Sequence, residues 1–359
     1  MAIWVFLLAF ILSFLNSSEN AWGQVYWKAK KDGSISFSDN PTSSILKEEP
    51  EEKADLGIEF QRDFLRLPLP GKNWALEFQF KDFRMKDAET LPDFEGRRIL
   101  AENDKTQVLL SVFLTPAKRP MHSKDLREAA WKDQKKLPVK REAVKKYEAG
   151  EWALFEYVIK DAKEFKGINQ KNVFAFHVKG DTWIDYHLSK AFYKPADEKL
   201  FNDFIKSVKI LQPFSPSSWD NFLFGSHYYR RGKYMKAIVY YEQALAQEKQ
   251  NPRLQKNLGR VLIDNLGMAY GMIGNLEMSK KTLEYGISKD PTFPMYYYNL
   301  ACTYAEMNNL EKAVQNLKIA ARYKNNMIPG KRPPDAFKDS SFKRFLNNPK
   351  FVEAAKAFR

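Results

Sequence analysis

The chain has 359 residues, of which 44% are hydrophobic and 28% charged, and a formal net charge of +14. That length holds two or three modest domains, and that composition excludes a chain disordered in bulk. One cysteine, Cys302, excludes an intramolecular disulfide, so buried cores alone must hold the fold together.

In chain order, residues 3–15 form an unbroken apolar or serine-containing run, shorter than the about 20 residues a bilayer crossing needs. Polar residues 16–20 follow. Ala21-Trp22-Gly23 then puts small side chains three and one before Gln24, a spacing a signal peptidase accepts. Residues 1–23 are expected to be a signal peptide and the protein periplasmic or secreted. No Lys or Arg precedes the run, so an uncleaved anchor is the alternative and the only route to a membrane.

Residues 24–55 open with strand-like Val25-Tyr26-Trp27 and Ile35-Ser36-Phe37 around Asp32-Gly33, a strong hairpin signal. Ser38-Asp39-Asn40-Pro41 stops the second strand. The Val-Tyr, Lys-Asp-Gly, Phe-Ser-Asp-x-Pro pattern resembles a short uncharacterised domain that follows signal peptides in bacterial envelope proteins. An acidic linker around residues 47–52 comes next.

Residues 56–212 read as an α+β domain. Trp74, Leu76, Phe78 and Phe80 alternate as in a half-buried strand, and residues 108–114 form a more continuous apolar one. A helix capped by Ser123 is expected over 123–137, strands over 152–159, 173–179 and 182–190, and a helix over 197–208 with Leu200, Phe201, Phe204, Ile205 and Val208 on one stripe. Strands outnumber helices and turns are short, which fits a central antiparallel sheet covered by helices. Residues 118–148 carry eleven Lys/Arg against five Asp/Glu. No Arg/Gly-rich tract or zinc-finger spacing accompanies them, so they read as a solvated face rather than a nucleic-acid site.

The chemistry-bearing cluster of this domain is His177, Asp181, Asp185 and His187. A two-residue turn at Gly180-Asp181 pairs Lys179 with Thr182 and His177 with Ile184. Alternation then sends the two histidines to opposite faces, so they cannot share a metal. Asp185 and His187 share a face and could form a dyad, with Ser189 beside them, but no nucleophile-elbow pattern surrounds that serine. No His/Cys/carboxylate spacing suits zinc. No metal and no cofactor is expected.

Residues 213–330 repeat themselves. Gly267 is followed by Tyr270, Gly274, Ser279, Leu283, Gly286 and Pro291, at offsets +3, +7, +12, +16, +19 and +24. The same offsets from Ala301 give Tyr304, Asn308, Ala313, Leu317, Ala320 and Asn325, and from Gly225 they give Tyr228, Gly232, Ala237, Tyr241, Ala244 and Lys249. Units two and three start 34 residues apart; units one and two start 42 apart, the extra eight falling near residues 249–260. Small residues at 0, +12 and +19 suit crossing helices, a positive-φ residue at +7 suits the turn, and large residues at +3 and +16 fill the space between pairs. The pattern resembles the tetratricopeptide repeat, a 34-residue helix-turn-helix unit. Residues 331–359 place Phe342, Phe345, Phe351 and Ala355 at amphipathic spacing, as capping helices for the open end of the stack.

The resemblance implies an all-α solenoid in which the first helix of each pair lines a concave groove for a protein or peptide partner. The matching groove residues are Phe222, Ser226 and Tyr229, then Asp264, Asn265 and Met268, then Tyr298, Asn299 and Cys302, with Met272 and Gly271 beside them in the groove. Asn265 and Asn299 match an asparagine that bonds a bound peptide backbone in family members. The lysines of the chaperone-type carboxylate clamp are replaced by Phe222 and Met295, so an apolar or helical segment is the expected guest. Gly271 has no counterpart, because Gly225 and Ala301 are followed four residues on by Tyr229 and Ala305. It leaves a gap between Tyr229 and Tyr298. The chain thus reads as an exported, non-catalytic scaffold; the alternative is an envelope enzyme centred on Asp185 and His187.

Overall fold

A computed structural model of the chain describes strand segments 26–29, 35–38 and 59–61, then residues 63–90, 96–136, 139–162 and 165–359. The expected signal peptide lies outside these residues. Among them, no helix is long and apolar enough to cross a membrane. Strands β1 (Tyr26–Ala29) and β2 (Ile35–Ser38) pair antiparallel, Trp27 opposite Phe37. The remainder divides into two compact units, residues 60–67 with 76–211, and residues 68–75 with 212–359.

The first unit is an antiparallel sheet system with helices. Beyond β3 (Glu59–Gln61), β4 (Phe64–Pro68) and β5 (Ala75–Gln79) come β6 (Phe83–Thr90), β7 (Arg97–Asn103) and β8 (Val108–Pro116). After helix α1 (Ser123–Gln134) follow β9 (Arg141–Ala149), β10 (Trp152–Ala162), β11 (Phe165–Lys179) and β12 (Thr182–Lys190). Helix α2 (Glu198–Ser207) and β13 (Lys209–Leu211) close the unit. One sheet has seven strands in the order β6-β7-β8-β12-β11-β10-β9, the other four in the order β13-β5-β4-β3. Period-2 patterning sorts the faces: Phe78 of the smaller sheet meets Tyr186 of the larger edge-on at 5.3 Å. The opposite face of β10 and β11 carries Phe155, Tyr157, Phe174 and Phe176 against Leu126, Ala130 and Trp131.

Helix α1 starts and ends differently from expectation. His122 occupies the N-cap position, with its N–H donated to Asp125 Oδ2 at 3.1 Å. The Ser123 hydroxyl instead accepts the Val178 N–H at 3.2 Å, tying the helix start to β11. The helix stops at Gln134, whose carbonyl accepts from the Arg141 guanidinium and whose side chain accepts the Tyr157 hydroxyl at 2.9 Å.

The basic run falls on α1 and on β9, an edge strand. Several of its cations are matched locally: Lys124 with Glu148 at 3.0 Å, Lys145 with Glu156 at 3.2 Å, Lys140 with Glu142 at 3.0 Å, and Lys146 with Glu128. Charged side chains along an exposed edge also oppose pairing with another chain's strand. Ala143, at φ 51°, forms a bulge where the β9–β10 register shifts.

The second unit is three helix pairs and a cap. The pairs are α3 (Ser218–Arg230) with α4 (Tyr234–Gln250), α5 (Lys256–Met272) with α6 (Leu276–Lys289), and α7 (Pro294–Glu306) with α8 (Leu310–Arg322). A 3-10 turn (Ser340–Phe345) and α9 (Pro349–Phe358) follow. Ser217 caps α3, accepting from the Asp220 N–H at 3.2 Å while Asp220 accepts from the Ser217 N–H at 2.9 Å. The offsets have direct structural counterparts. A Cβ on Gly267 would stand 2.8 Å from Leu283, so offsets 0 and +16 mark the helix crossing. Gly232, Gly274 and Asn308 at +7 have φ of 70°, 78° and 59°. The eight extra residues lengthen α4 and α5 to 17 residues each, against 13 or 14 in the later repeat helices.

Candidate binding groove

Two places collect the residues singled out in sequence, and they differ in access. In the sheet unit, the register pairs Lys179 with Thr182 and His177 with Ile184, and the two histidines do point to opposite faces. His177 sits beside Trp152, its Nδ1 3.1 Å from the Glu151 carbonyl. His187 is stacked flat on Phe174 at 3.7 Å, with Nε2 3.3 Å from Asn172 Oδ1. Burial depresses the His187 pKa to about 3 and pushes the Asp185 carboxyl up to about 7. Asp185 Oδ1 is buried with no hydrogen-bond partner, and the imidazole Nε2 meets the Asn172 amide oxygen. His187 is 2% exposed and Ser189 1%. His187 and Ser189 are closed to solvent while Asp185 is half-buried, and among the described residues the hydrogen-bonded chain of base, orienter and nucleophile is not assembled. Among the described residues no group of three His, Cys, Asp or Glu side chains could hold a metal.

In the repeat unit, the expected groove residues split into an open stretch and a closed one. On α3, Phe222 is buried against Trp219 and Tyr241, with ring centroids 5.9 and 6.2 Å away. Ser226 and Tyr229 are half-buried. On α5, Asp264, Asn265, Met268 and Gly271 are half-buried, and Met272 is 55% exposed. A hydrogen-bonded chain crosses the floor: Asn265 Nδ2 donates to the Tyr241 hydroxyl at 3.1 Å, and that hydroxyl donates to Ser226 Oγ at 3.1 Å. Beside it, Asn299 Nδ2 donates to Asp264 Oδ1 at 2.6 Å. Both asparagines matched to backbone-binding positions are thus engaged inside the protein.

Asp264 dominates the local electrostatics. Desolvation raises its pKa to about 7 against the lowering effect of the Asn299 bond. Desolvation first, then the Asp264 charge, holds the Tyr229 hydroxyl well above its ordinary value, and the same two causes act on Tyr296. Among the described residues no Lys or Arg pairs with Asp264; its one hydrogen bond is from Asn299.

The third repeat is closed by the chain itself. Tyr298 is 2% exposed: its hydroxyl donates to Asp339 Oδ2 at 2.8 Å, its ring stacks on Phe358 at 5.2 Å and meets Phe342 edge-on at 5.9 Å. The Cys302 thiol also donates to Asp339, and burial raises its pKa far above that of a reactive thiol. Phe342, Phe351 and Phe358 are fully buried, so the C-terminal segment is part of the core it caps.

Gly271 has room for a side chain. A Cβ there would meet only Ser279 Oγ, at an ordinary 3.6 Å. Helix packing does not demand glycine here, unlike at Gly267. Sequence reasoning missed two participants. Tyr241 was visible as a large residue at +16, and its hydroxyl, absent from Leu283 and Leu317 at the same offset, was the signal for the polar floor. Asp339 had no such signal, because its role depends on the C-terminal segment folding back onto α7.

The family model for the tetratricopeptide repeat matches residues 282–315. A tetratricopeptide repeat therefore lies in the helical unit, as the offsets implied. None of the curated proteins matches the chain. Among solved structures, the Sgt2 tetratricopeptide-repeat domain from Aspergillus fumigatus is 21% identical, with 40% of this chain and 78% of that one covered, at a TM-score of 0.29. PcrH in complex with the chaperone binding region of PopB is 13% identical, with 39% and 93% covered and a TM-score of 0.28. A multi-domain immunophilin from Arabidopsis thaliana is 11% identical, with 73% and 99% covered and a TM-score of 0.24.

Proposed function

We propose that the protein is an exported scaffold that binds a segment of a protein partner in the groove formed by the first two repeats, without chemistry of its own. The observation that carries this reading is the contrast within one row of equivalent positions. Tyr298 is sealed under the C-terminal segment, whereas Tyr229, Asp264, Met268, Gly271 and Met272 remain accessible. Half-exposed aromatic and Met side chains beside a polar floor suit a helical or extended guest, with Met able to adapt to its shape. The apolar run at residues 3–15, followed by Ala21-Trp22-Gly23, supports export. N-terminal sequencing of the protein from its native host should then begin at Gln24.

The groove is tested by blocking it. Gly271→Arg places a long side chain in the gap at a position with room for its Cβ. A displayed library of random 12-residue peptides selected on the intact wild-type chain should yield peptides that the variant no longer retains, while circular dichroism shows an unchanged helical melt. Equal retention by Gly271→Arg would move the binding surface elsewhere.

A further inference from the structure

The open groove holds one carboxylate that the fold leaves incompletely used. Asp264 lies on α5, near enough to Tyr229 of α3 for its charge to add to desolvation in raising that hydroxyl's pKa, and Oδ1 takes the Asn299 amide at 2.6 Å. Oδ2 carries no hydrogen bond among the described residues, and no cationic side chain pairs with the group. The chain is otherwise generous with ion pairs. Arg260, one turn earlier on the same helix, closes on Asp290 at 2.7 Å, and Lys256 reaches the same carboxylate at 3.3 Å. Asp339 in the closed repeat has both oxygens occupied, by the Tyr298 hydroxyl and the Ser341 N–H. Asp264 is thus the carboxylate of this groove with accepting capacity left over.

We propose that the groove recognises its partner segment through one basic side chain, Lys or Arg, which pairs with Asp264 Oδ2 and lies along the Tyr229 ring. The inference rests on the groove being the partner surface and adds the chemistry of what enters it. A half-buried carboxylate gains more from a cation than an exposed one does, because solvent screens the pair less. An aromatic face beside it stabilises the same cation through the ring quadrupole. The gap at Gly271, one turn beyond Met268 on α5, leaves room for the aliphatic stem, with Met268 and Met272 supplying apolar contact. A guest that presents an acid or a free C-terminal carboxylate at this point meets like charge.

The test is the composition of the peptides that the intact chain selects from a random 12-residue displayed library. Lys plus Arg should be enriched at least threefold over the input at one position on the wild type and stand at the input level on Asp264→Asn. In one selected peptide, replacing that basic residue with norleucine should weaken binding to the wild type at least tenfold by fluorescence anisotropy and change binding to Asp264→Asn less than twofold. Selected peptides without basic enrichment, or the same enrichment on Asp264→Asn, overturn the proposal. If such peptides are lost on Gly271→Arg, the groove survives as the partner surface and only its charge rule falls. Selection of no peptide at all sinks both. The wild-type composition decides alone should Asp264→Asn fail to fold.

Discussion

The sheet unit and the repeat unit differ in how far their joined polar groups reach solvent: the His187–Asn172–Gln170 set is buried throughout, whereas the Asn265–Tyr241–Ser226 set is half-exposed at both ends. On the seven-stranded sheet, Ser111 Oγ, Asp185 Oδ1 and Ser189 Oγ are buried with no hydrogen-bond partner. In the repeats, three sets of polar groups between helices are joined, Asn265 to Tyr241 to Ser226, Asn299 to Asp264, and Ser279 to Thr303 at 2.9 Å, while Asn221 Oδ1 is buried with no partner. An unpartnered buried group costs stability and is sealed from solvent. A joined and half-exposed set holds side chains in fixed positions where a guest can meet them. His187 and Ser189 are therefore inaccessible, and the proposed recognition surface lies among helices with no catalytic motif.

The comparison can be broken most severely at the repeat cap. Phe342 is fully buried against Tyr298 and Phe351, so Phe342→Ala should destabilise the repeat unit by about 3–5 kcal/mol in urea titration. A loss below about 1 kcal/mol would mean that the cap is not part of the core. Next in size is the helix crossing. A Cβ on Gly267 would push into Leu283, so Gly267→Ala should cost about 1–3 kcal/mol in the same titration.

The sheet unit offers a test by pH. The Asp185 carboxyl is held at about 7 against 3.8 in its ordinary state. The folded form therefore binds a proton that the unfolded form has lost between about pH 4 and pH 7, and stability from this group falls as pH rises through that window. Asp185→Asn should gain on the wild type by roughly 1–3 kcal/mol between those limits and by nothing further above pH 8. His187 acts with the opposite sign. Its folded pKa lies at about 3, below the ordinary 6.5, so its contribution is lost as pH falls below 6.5. With Asp185 replaced, that acid-side loss should stand alone, and chemical denaturation between pH 3 and 8 reads both.

The smallest effect sharpens the contrast between two glycines of one helix. Gly271 has room for a Cβ, so Gly271→Ala should stabilise the helix by up to about 1 kcal/mol, with a raised melting temperature. Destabilisation at both positions would remove the argument that Gly271 is spared by packing.

Much of this was legible because the repeat imposes its offsets three times over. Close approach at Gly225 and Gly267 and positive φ at Gly232, Gly274 and Asn308 are local demands that few residue types meet. The hairpin turn at Gly180-Asp181 was readable for the same reason, and with it the opposed faces of His177 and His187. The strands that escaped were β3, β4, β6, β7, β9 and β13; of these β6 and β9 are the two edges of the seven-stranded sheet, and β7 lies inside it with Arg97, Arg98 and Glu102 along its length. With one side unpaired and charged residues along them, edges lose the alternation that marks a half-buried strand. The closing of the third repeat was also illegible, since the bond from Tyr298 to Asp339 joins residues 41 apart through a fold-back that no local pattern encodes.

The central claim is that recognition occurs in the open groove of the first two repeats and not at the sealed third. Photoreactive residues placed singly at Met268 and at Tyr298 of the intact chain, irradiated with a peptide selected on the wild type, test it most directly. The account predicts a peptide adduct at position 268, while position 298 crosslinks only within the chain, to residues 336–358. A peptide adduct at 298 with none at 268 would contradict it.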